Sequence, residues 1–422
     1  MKHVLDILKE RGLLEAVTSD EVFRLVEKPT VVYAGFDPSS SSLQVGNYVT
    51  IMALAHFQRC GHRVIALVGG ATGMIGDPAG KSNERNLLSA EQVEHNLQGI
   101  RENLGRFLDF DDTRAPASIV NNNDWFQEFT FVEFLRDVGK HFRVGAMLGK
   151  ESVRTRLNSE SGMSFAEFSY QLLQAYDFLR LHDTSGCRLQ IGGSDQWGNI
   201  TAGADLIRKL REVEAYGMTF PLICDSSGQK FGKSEGNAIY LDQKRTSVYD
   251  FYQFFIRATD ADVIRLLKVF TFLPLDDVAA LEEALTREPE KRVAQKKLAE
   301  EVTRAVHGEA GLRIALRASD VLFGGELAGL KAEDLLKIFA NVDSSEMDRD
   351  HVAGQPVVEV VTACGLCKSK GEARRLIESG GLYVNNRRIS SMDARVDTAS
   401  IIDERVLVLR SGKRKFFLVK VI

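Results

Sequence analysis

The sequence predicts an α/β protein: a doubly wound parallel sheet in the first half, a helical stretch after it, and a small α+β unit at the end. Three observations carry this. Thr30–Phe36 (TVVYAGF) and Arg63–Gly70 (RVIALVGG) are near-continuous apolar runs with a loop and a helix-patterned segment between them. That strand–helix–strand order is the βαβ unit of a parallel sheet, whose strands are buried on both faces. From Ser247 to about Leu330 the periodicity is helical only, dense in Glu, Lys and Arg as in Leu281–Glu301. Beyond Ala353 the chain turns basic and mixes helix and strand signals.

The elements follow in order. Met1–Asp6 reads as the start of an amphipathic helix. After the strand Thr30–Phe36 comes a Pro/Ser loop, Asp37–Ser42, then a helix over Gly46–Gly61 with Val49, Met52, Ala53, Leu54 and Phe57 as its apolar set. Further strands are expected at Ser118–Asn121, Arg188–Gly192 and Met218–Cys224, with helices at Ser164–His182 and Ser194–Arg211 between them. The expected division is 1–246 for the sheet domain, 247–330 for the helical domain, 331–352 for a linker and 353–422 for the terminal unit. The linker reading rests on the polar, weakly patterned stretch Val342–Gly354. The terminal unit should hold a basic helix at Glu372–Ser379 and strands around Gly381–Ile389 and Val406–Val421.

A chain of 422 residues calls for more than one domain. The formal net charge is only −4, but it is uneven. Residues 353–422 carry 13 Lys+Arg against 7 Asp+Glu, a balance of +6 that leaves −10 for the rest. An acidic body with a basic terminal unit points to nucleic-acid binding. Five scattered cysteines argue for a reducing compartment over a disulfide framework. With no apolar signal core and no run of membrane-spanning length, a cytoplasmic placement is expected.

Several common chemistries are excluded. Gly76–Ser82 (GDPAGKS) ends like a P-loop, but its first glycine stands one position too close. Cys364 and Cys367 have C-x-x-C spacing without a second ligand pair, so they read as small helix-end residues, and no metal site is expected.

Four segments remain. Asp37–Asn47 (DPSSSSLQVGN) lies between strand and helix, where parallel sheets bind ligands and where helix N–H groups suit phosphate. Lys230–Ser234 (KFGKS) places two lysines among glycines, suited to a triphosphate or to a solvated turn. In Glu167–Asp177 (EFSYQLLQAYD), Tyr170, Gln174 and Asp177 share one face of an otherwise apolar helix, favouring a polar pocket. Gln190–Asn199 (QIGGSDQWGN) joins a glycine strand end to an acidic and amide helix start, fit for a ribose and an α-amino acid or for an ordinary capped turn.

In this order, with ALVGGATGMIGDPAGK, NNNDW, FLRDVGKHF and FYQFF, these segments resemble the bacterial-type tyrosyl-tRNA synthetases, which are class I enzymes. KSKGEARRLIESGGLYVNN resembles the small RNA-binding domain that accompanies them. The resemblance spans essentially the whole chain. It implies a Rossmann-like catalytic domain, an anticodon-binding helical domain and an RNA-binding unit. It also implies tyrosine, Mg-ATP and tRNA(Tyr) as partners, and a homodimer whose interface includes Phe134–Phe142. By position it implies Tyr33 and Asp177 on the substrate phenol, and Tyr170, Gln174 and Asp77 on the ammonium, with Asn122 and Gln196 near. Asp37, Ser39, Gly46, Gly193 and Asp195 would face the nucleoside, while Lys81, Arg85, Lys230 and Lys233 would hold the pyrophosphate. The family signature His-x-Gly-His reads Gln44-Val45-Gly46-Asn47 here. The amides keep N–H donors but cannot carry an imidazolium's charge. Rival readings are a tryptophanyl enzyme of similar fold, a paralogue impaired in catalysis, and a non-catalytic RNA-binding relative.

Overall fold

The computed structural model describes residues 3–79, 88–160, 162–226, 228, 230–234, 237–322, 325, 327, 330–339, 342–412 and 415–422. Residues 1–246 and 254–306 form one compact unit, and 247–253 with 307–422 form a second.

The first unit is built on a six-stranded sheet. Its strands are β1 (Ala16–Val17), β2 (Val31–Phe36), β3 (Arg63–Val68), β4 (Ser118–Asn121), β5 (Leu189–Gly193) and β6 (Tyr216–Phe220). They lie in the order β1-β6-β5-β2-β3-β4. Strands β2 to β6 are mutually parallel, and β1 is added antiparallel at the edge with Ala16 opposite Thr219. A two-residue strand gives no periodicity to read, so the sequence did not announce it. The centre of the sheet is dry: Val32, Tyr33, Ala34, Val64, Ile65 and Ala66 are all buried. Each fully buried Val or Ile side chain contributes roughly 1.5–3 kcal/mol, which is why these apolar runs sit innermost.

Helices Val45–Arg59, Phe165–Ser185 and Trp197–Arg211 pack on the sheet. The second starts with a reciprocal cap: the Glu167 N–H donates to Ser164 Oγ at 3.2 Å and the Ser164 N–H to Glu167 Oε2 at 3.3 Å. It ends at Gly186, whose φ of 66° is left-handed. Its crossing with the third helix is close. A Cβ on Gly203 would stand 2.9 Å from Phe178 Cδ1, so only glycine fits there.

The second unit contains a five-stranded sheet of β9 (Ser344–Met347), β10 (Leu382–Val384), β11 (Arg387–Arg388), β12 (Val406–Ser411) and β13 (Lys415–Val421), in the order β11-β10-β12-β13-β9. Helices Val357–Ala363 and Lys370–Glu378 contribute to its core with Val357, Val360, Val361, Ala373 and Ile377. The stretch read as a polar linker differs from expectation. It contains helix Ala332–Ile338 and strand β9, which runs parallel to β13 with Ser344 opposite Leu418. Its residues alternate between exposed and half-buried. An edge strand with no fully buried face has no apolar signature, so SSEM looked like a linker. Cys364 and Cys367 are buried free thiols in this core, and burial pushes both above their ordinary range. Among the described residues no helix is long and apolar enough to cross a membrane.

Candidate active site

The strand order reverses between β2 and β5: β2 leads on to β3 on one side, and β5 to β6 on the other. Such a switch point leaves a crevice at the carboxyl ends of the strands. A cavity of about 330 Å³ occupies it, lined from β2 by Tyr33, Gly35 and Phe36 and from β5 by Gln190, Ile191 and Gly192.

The floor is polar and buried. The Tyr33 ring packs 5.2 Å from Phe178, and the residue is 1% exposed. Its hydroxyl has no hydrogen-bond partner among the described residues. Asp177 is also buried and accepts from Trp125 Nε1 at 2.9 Å and Asn122 Nδ2 at 3.1 Å. Burial raises its carboxyl to about 8, against the opposing pull of the Asn122 and Trp125 donors. Burial, then the Asp177 charge, raises the Tyr33 phenol well above its ordinary range, so it is a neutral donor. Gln190 stands opposite Tyr33 in the β2–β5 pairing, buried, and its Oε1 is also unpartnered.

A second polar group lies on the walls. Gln196 Nε2 donates to Asp77 Oδ2 at 2.6 Å, Gln174 Nε2 to Gln196 Oε1 at 3.1 Å, and Asn199 Nδ2 to Gln174 Oε1 at 3.0 Å. The Ala79 N–H also donates to Asp77, at 2.9 Å. The Tyr170 hydroxyl donates to Asp37 Oδ2 at 2.8 Å, and the Thr72 hydroxyl to Asp37 Oδ1 at 2.9 Å. These bonds hold Asp37 and Asp77 as oriented acceptors. With Asp195 they make this end of the cavity anionic, suited to an ammonium.

The outer wall joins the two signature segments. Gln44 is the residue before helix Val45–Arg59, and its N–H donates to Asn47 Oδ1 at 3.0 Å. Asn47 thereby satisfies the N–H at the start of the helix with its oxygen, and among the described residues its Nδ2 has no hydrogen-bond partner. The Val45 N–H donates to Ile239 O, the Leu241 N–H to Leu43 O and the Ile239 N–H to Gly232 O, each at 2.9 Å. Gly232 has a φ of 106°, and a Cβ there would meet the Gly46 nitrogen at 3.2 Å. The glycines of QVGN and KFGKS thus lie against one another. Phe231 anchors the second segment among Phe254, Phe255 and Phe270, with ring centroids 4.9–6.0 Å away.

The cavity therefore gathers Tyr33, Asp37, Ser39, Gln44, Gly46, Asn47, Asp77, Tyr170, Gln174, Asp177, Gly193, Asp195, Gln196 and Lys230. Asn122 lies behind Asp177 rather than on the surface of the cavity. Lys233 contributes backbone to β7 (Lys233–Ser234), which pairs with β8 (Asn237–Ala238). Lys81 and Arg85 fall outside the described residues. Sequence reasoning missed Thr72, Trp125, Gln190 and Asn199. Gln190 and Asn199 carried a local signal, as the two ends of the glycine-rich segment Gln190–Asn199. The others matter through partners far away in the chain.

Known proteins match this chain along its length. Residues 25–324 match the family of class I tRNA synthetases (W and Y), and residues 334–419 match the SYY-like C-terminal domain of tyrosine–tRNA ligases. The chain is 51% identical to a tyrosine–tRNA ligase of Opitutus terrae, over 99% of this chain and all of that one. It is 49% identical to one of Protochlamydia amoebophila, over all of this chain and 99% of that one. Among solved structures, a C-terminally truncated mitochondrial tyrosyl-tRNA synthetase of Aspergillus nidulans is 33% identical with a TM-score of 0.70, covering 76% of this chain and 95% of that one.

Proposed function

We infer the function from one premise: this chain belongs to the tyrosine–tRNA ligase family of class I tRNA synthetases. It activates tyrosine with Mg-ATP and passes the tyrosyl group to the 3′-terminal adenosine of tRNA(Tyr). In the first step a tyrosine carboxylate oxygen attacks the α-phosphorus in line. A new O–P bond forms, the bond to the β-phosphate oxygen breaks, and pyrophosphate leaves. No side-chain nucleophile is needed; positioning and charge stabilisation supply the rate.

The observation that carries this reading is the floor of the cavity. An unpartnered, buried Tyr33 hydroxyl beside the Asp177 carboxyl is costly unless a ligand bonds to it. A phenol fits both groups, accepting from Tyr33 and donating to Asp177. Asp77, Gln174 and Tyr170, with Gln196, hold the ammonium. Asp37, Ser39, Gly46, Gly193 and Asp195 take the nucleoside. Gln44, Asn47, Lys230, Lys233, Lys81 and Arg85 take the phosphates. The test is tyrosine-dependent ATP–pyrophosphate exchange. Exchange with tyrosine and far slower exchange with phenylalanine or tryptophan is expected. Absence of exchange would favour the impaired paralogue or a purely RNA-binding role.

Residues 247–330 and the basic 353–422 bind the tRNA, partly through phosphates, so affinity falls with salt. The enzyme works in the cytoplasm as a homodimer. Phe131 and Val132 are 67% and 72% exposed, and Leu135, Val144, Leu148 and Phe165 are exposed too. So many bare apolar side chains are uncommon on a monomer and suit a self-complementary interface. Sedimentation of a Phe131→Glu, Val132→Glu variant as a monomer is the expected outcome.

A further inference from the structure

A second cavity, of about 580 Å³, opens beside the first and shares Ser39 and Gln44 with it. Arg245 lines it. Its Nη1 donates to Ser40 Oγ at 2.7 Å and to Ser41 Oγ at 3.4 Å. Its guanidinium carbon lies 3.9 Å over the Tyr240 ring. The segment that carries it is fastened to the first signature: Tyr240 bridges Gln44, and the Asp242 N–H donates to Ser42 Oγ at 3.0 Å.

These contacts fix the guanidinium without neutralising it. Hydroxyls and a ring face carry no negative charge, and among the described residues Arg245 has no carboxylate partner. Both hydrogen bonds leave from Nη1, so Nε and Nη2 keep their donors in the fork geometry that matches phosphate. Glu91 and His95, on helix Ala90–Leu104, line the same cavity. Glu91 is held at its own helix start by backbone and Ser89 hydrogen bonds. Gln44, shared by the two cavities, and Asn47, which lines the first, are neutral.

We propose that this second cavity is an outer phosphate station, where Arg245 contacts the γ-phosphate of ATP and then the departing pyrophosphate. It supplies the fixed positive charge that Gln44 and Asn47 cannot. The proposal rests on the ATP-dependent activation inferred above and names a further contact residue for it.

The test uses the full-length protein with Arg245→Gln and Arg245→Lys. Pyrophosphorolysis of bound tyrosyl-adenylate gives the KM for pyrophosphate, exchange gives the KM for ATP, and dialysis gives tyrosine affinity. Loss of one charge-assisted contact should raise the pyrophosphate and ATP KM values by about tenfold in Arg245→Gln, with tyrosine affinity held within about twofold. Arg245→Lys should recover most of the loss. Unchanged pyrophosphate and ATP parameters overturn the proposal. So does a parallel fall in tyrosine affinity and melting temperature, which would mark a structural role. A loss confined to transfer onto tRNA also overturns it, since the phosphate would then be the RNA's. If the parent shows no tyrosine-dependent exchange, the functional reading fails separately. Calorimetric binding of pyrophosphate to parent and Arg245→Gln then still decides the station.

Discussion

Tyr33→Phe removes one oxygen from the floor of the cavity and nothing else, so its effect can be worked out in advance. Among the described residues that hydroxyl is buried and has no hydrogen-bond partner. An unsatisfied buried polar group costs about 1–3 kcal/mol, so its deletion should leave the fold as stable or slightly more so. With tyrosine bound, the same hydroxyl donates to the substrate phenol, a neutral bond with a net value of about 0.5–1.5 kcal/mol. The kcat/KM for tyrosine should therefore fall roughly 2–13-fold. The value for phenylalanine should stay flat or rise, because no donor is then stranded beneath it. The assay is exchange with each amino acid, alongside urea unfolding of both proteins. If discrimination between the two amino acids stays within about twofold of the parent, the phenol assignment is refuted. Asp177 is a poorer probe: Asp177→Ala would orphan the buried Trp125 Nε1 and leave Asn122 Nδ2 with Thr72 Oγ1 alone, so a loss of activity could not be separated from a loss of fold.

Other outcomes follow from the same geometry. The raised Asp177 carboxyl, near 8, lies above its value in an unfolded chain, so its contribution to stability is present at low pH and is lost as pH climbs towards 8. Unfolding from pH 5 to 9 should show a smaller decline for Asp177→Asn than for the parent, whatever the variant's absolute stability; equal slopes would contradict the assignment. Asn47→Ala loses the acceptor on the Gln44 N–H and should cost about 0.3–1.5 kcal/mol of stability while slowing adenylate formation more than it weakens tyrosine binding. Stopped-flow fluorescence separates the two effects. Gly232→Ala places a Cβ at 3.2 Å from the Gly46 nitrogen at a φ of 106°, so the KM for ATP should rise with tyrosine affinity unchanged. Equal changes in both would argue against the two segments forming one nucleotide wall.

Much of the site was legible in the sequence because its information is local. The spacing of Tyr170, Gln174 and Asp177 along one helix put three polar groups on one face before any fold was known, and all three line the cavity. The loop after β2 and the glycine-rich end of β5 announced themselves as strand ends, and parallel sheets bind ligands there. The charge imbalance of the terminal unit was also plain from composition.

What the sequence by itself determined was the fold class and the order of its motifs, since the periods of buried strands and amphipathic helices are set by near neighbours. It could not show β9 or β1, because a half-exposed edge strand and a two-residue strand have no period to read. Only the tertiary structure decided that Gln190 stands opposite Tyr33, that Trp125 and Asn122 hold Asp177, and that Gly232 lies against Gly46. Those pairings join segments remote in the chain. They follow from strand order and helix crossings, which minimise the free energy of the whole unit rather than of any window within it. The Tyr33 hydroxyl is the clearest case. Its residue type was visible from the start, but its being buried and unpaired is a property of the assembled cavity alone.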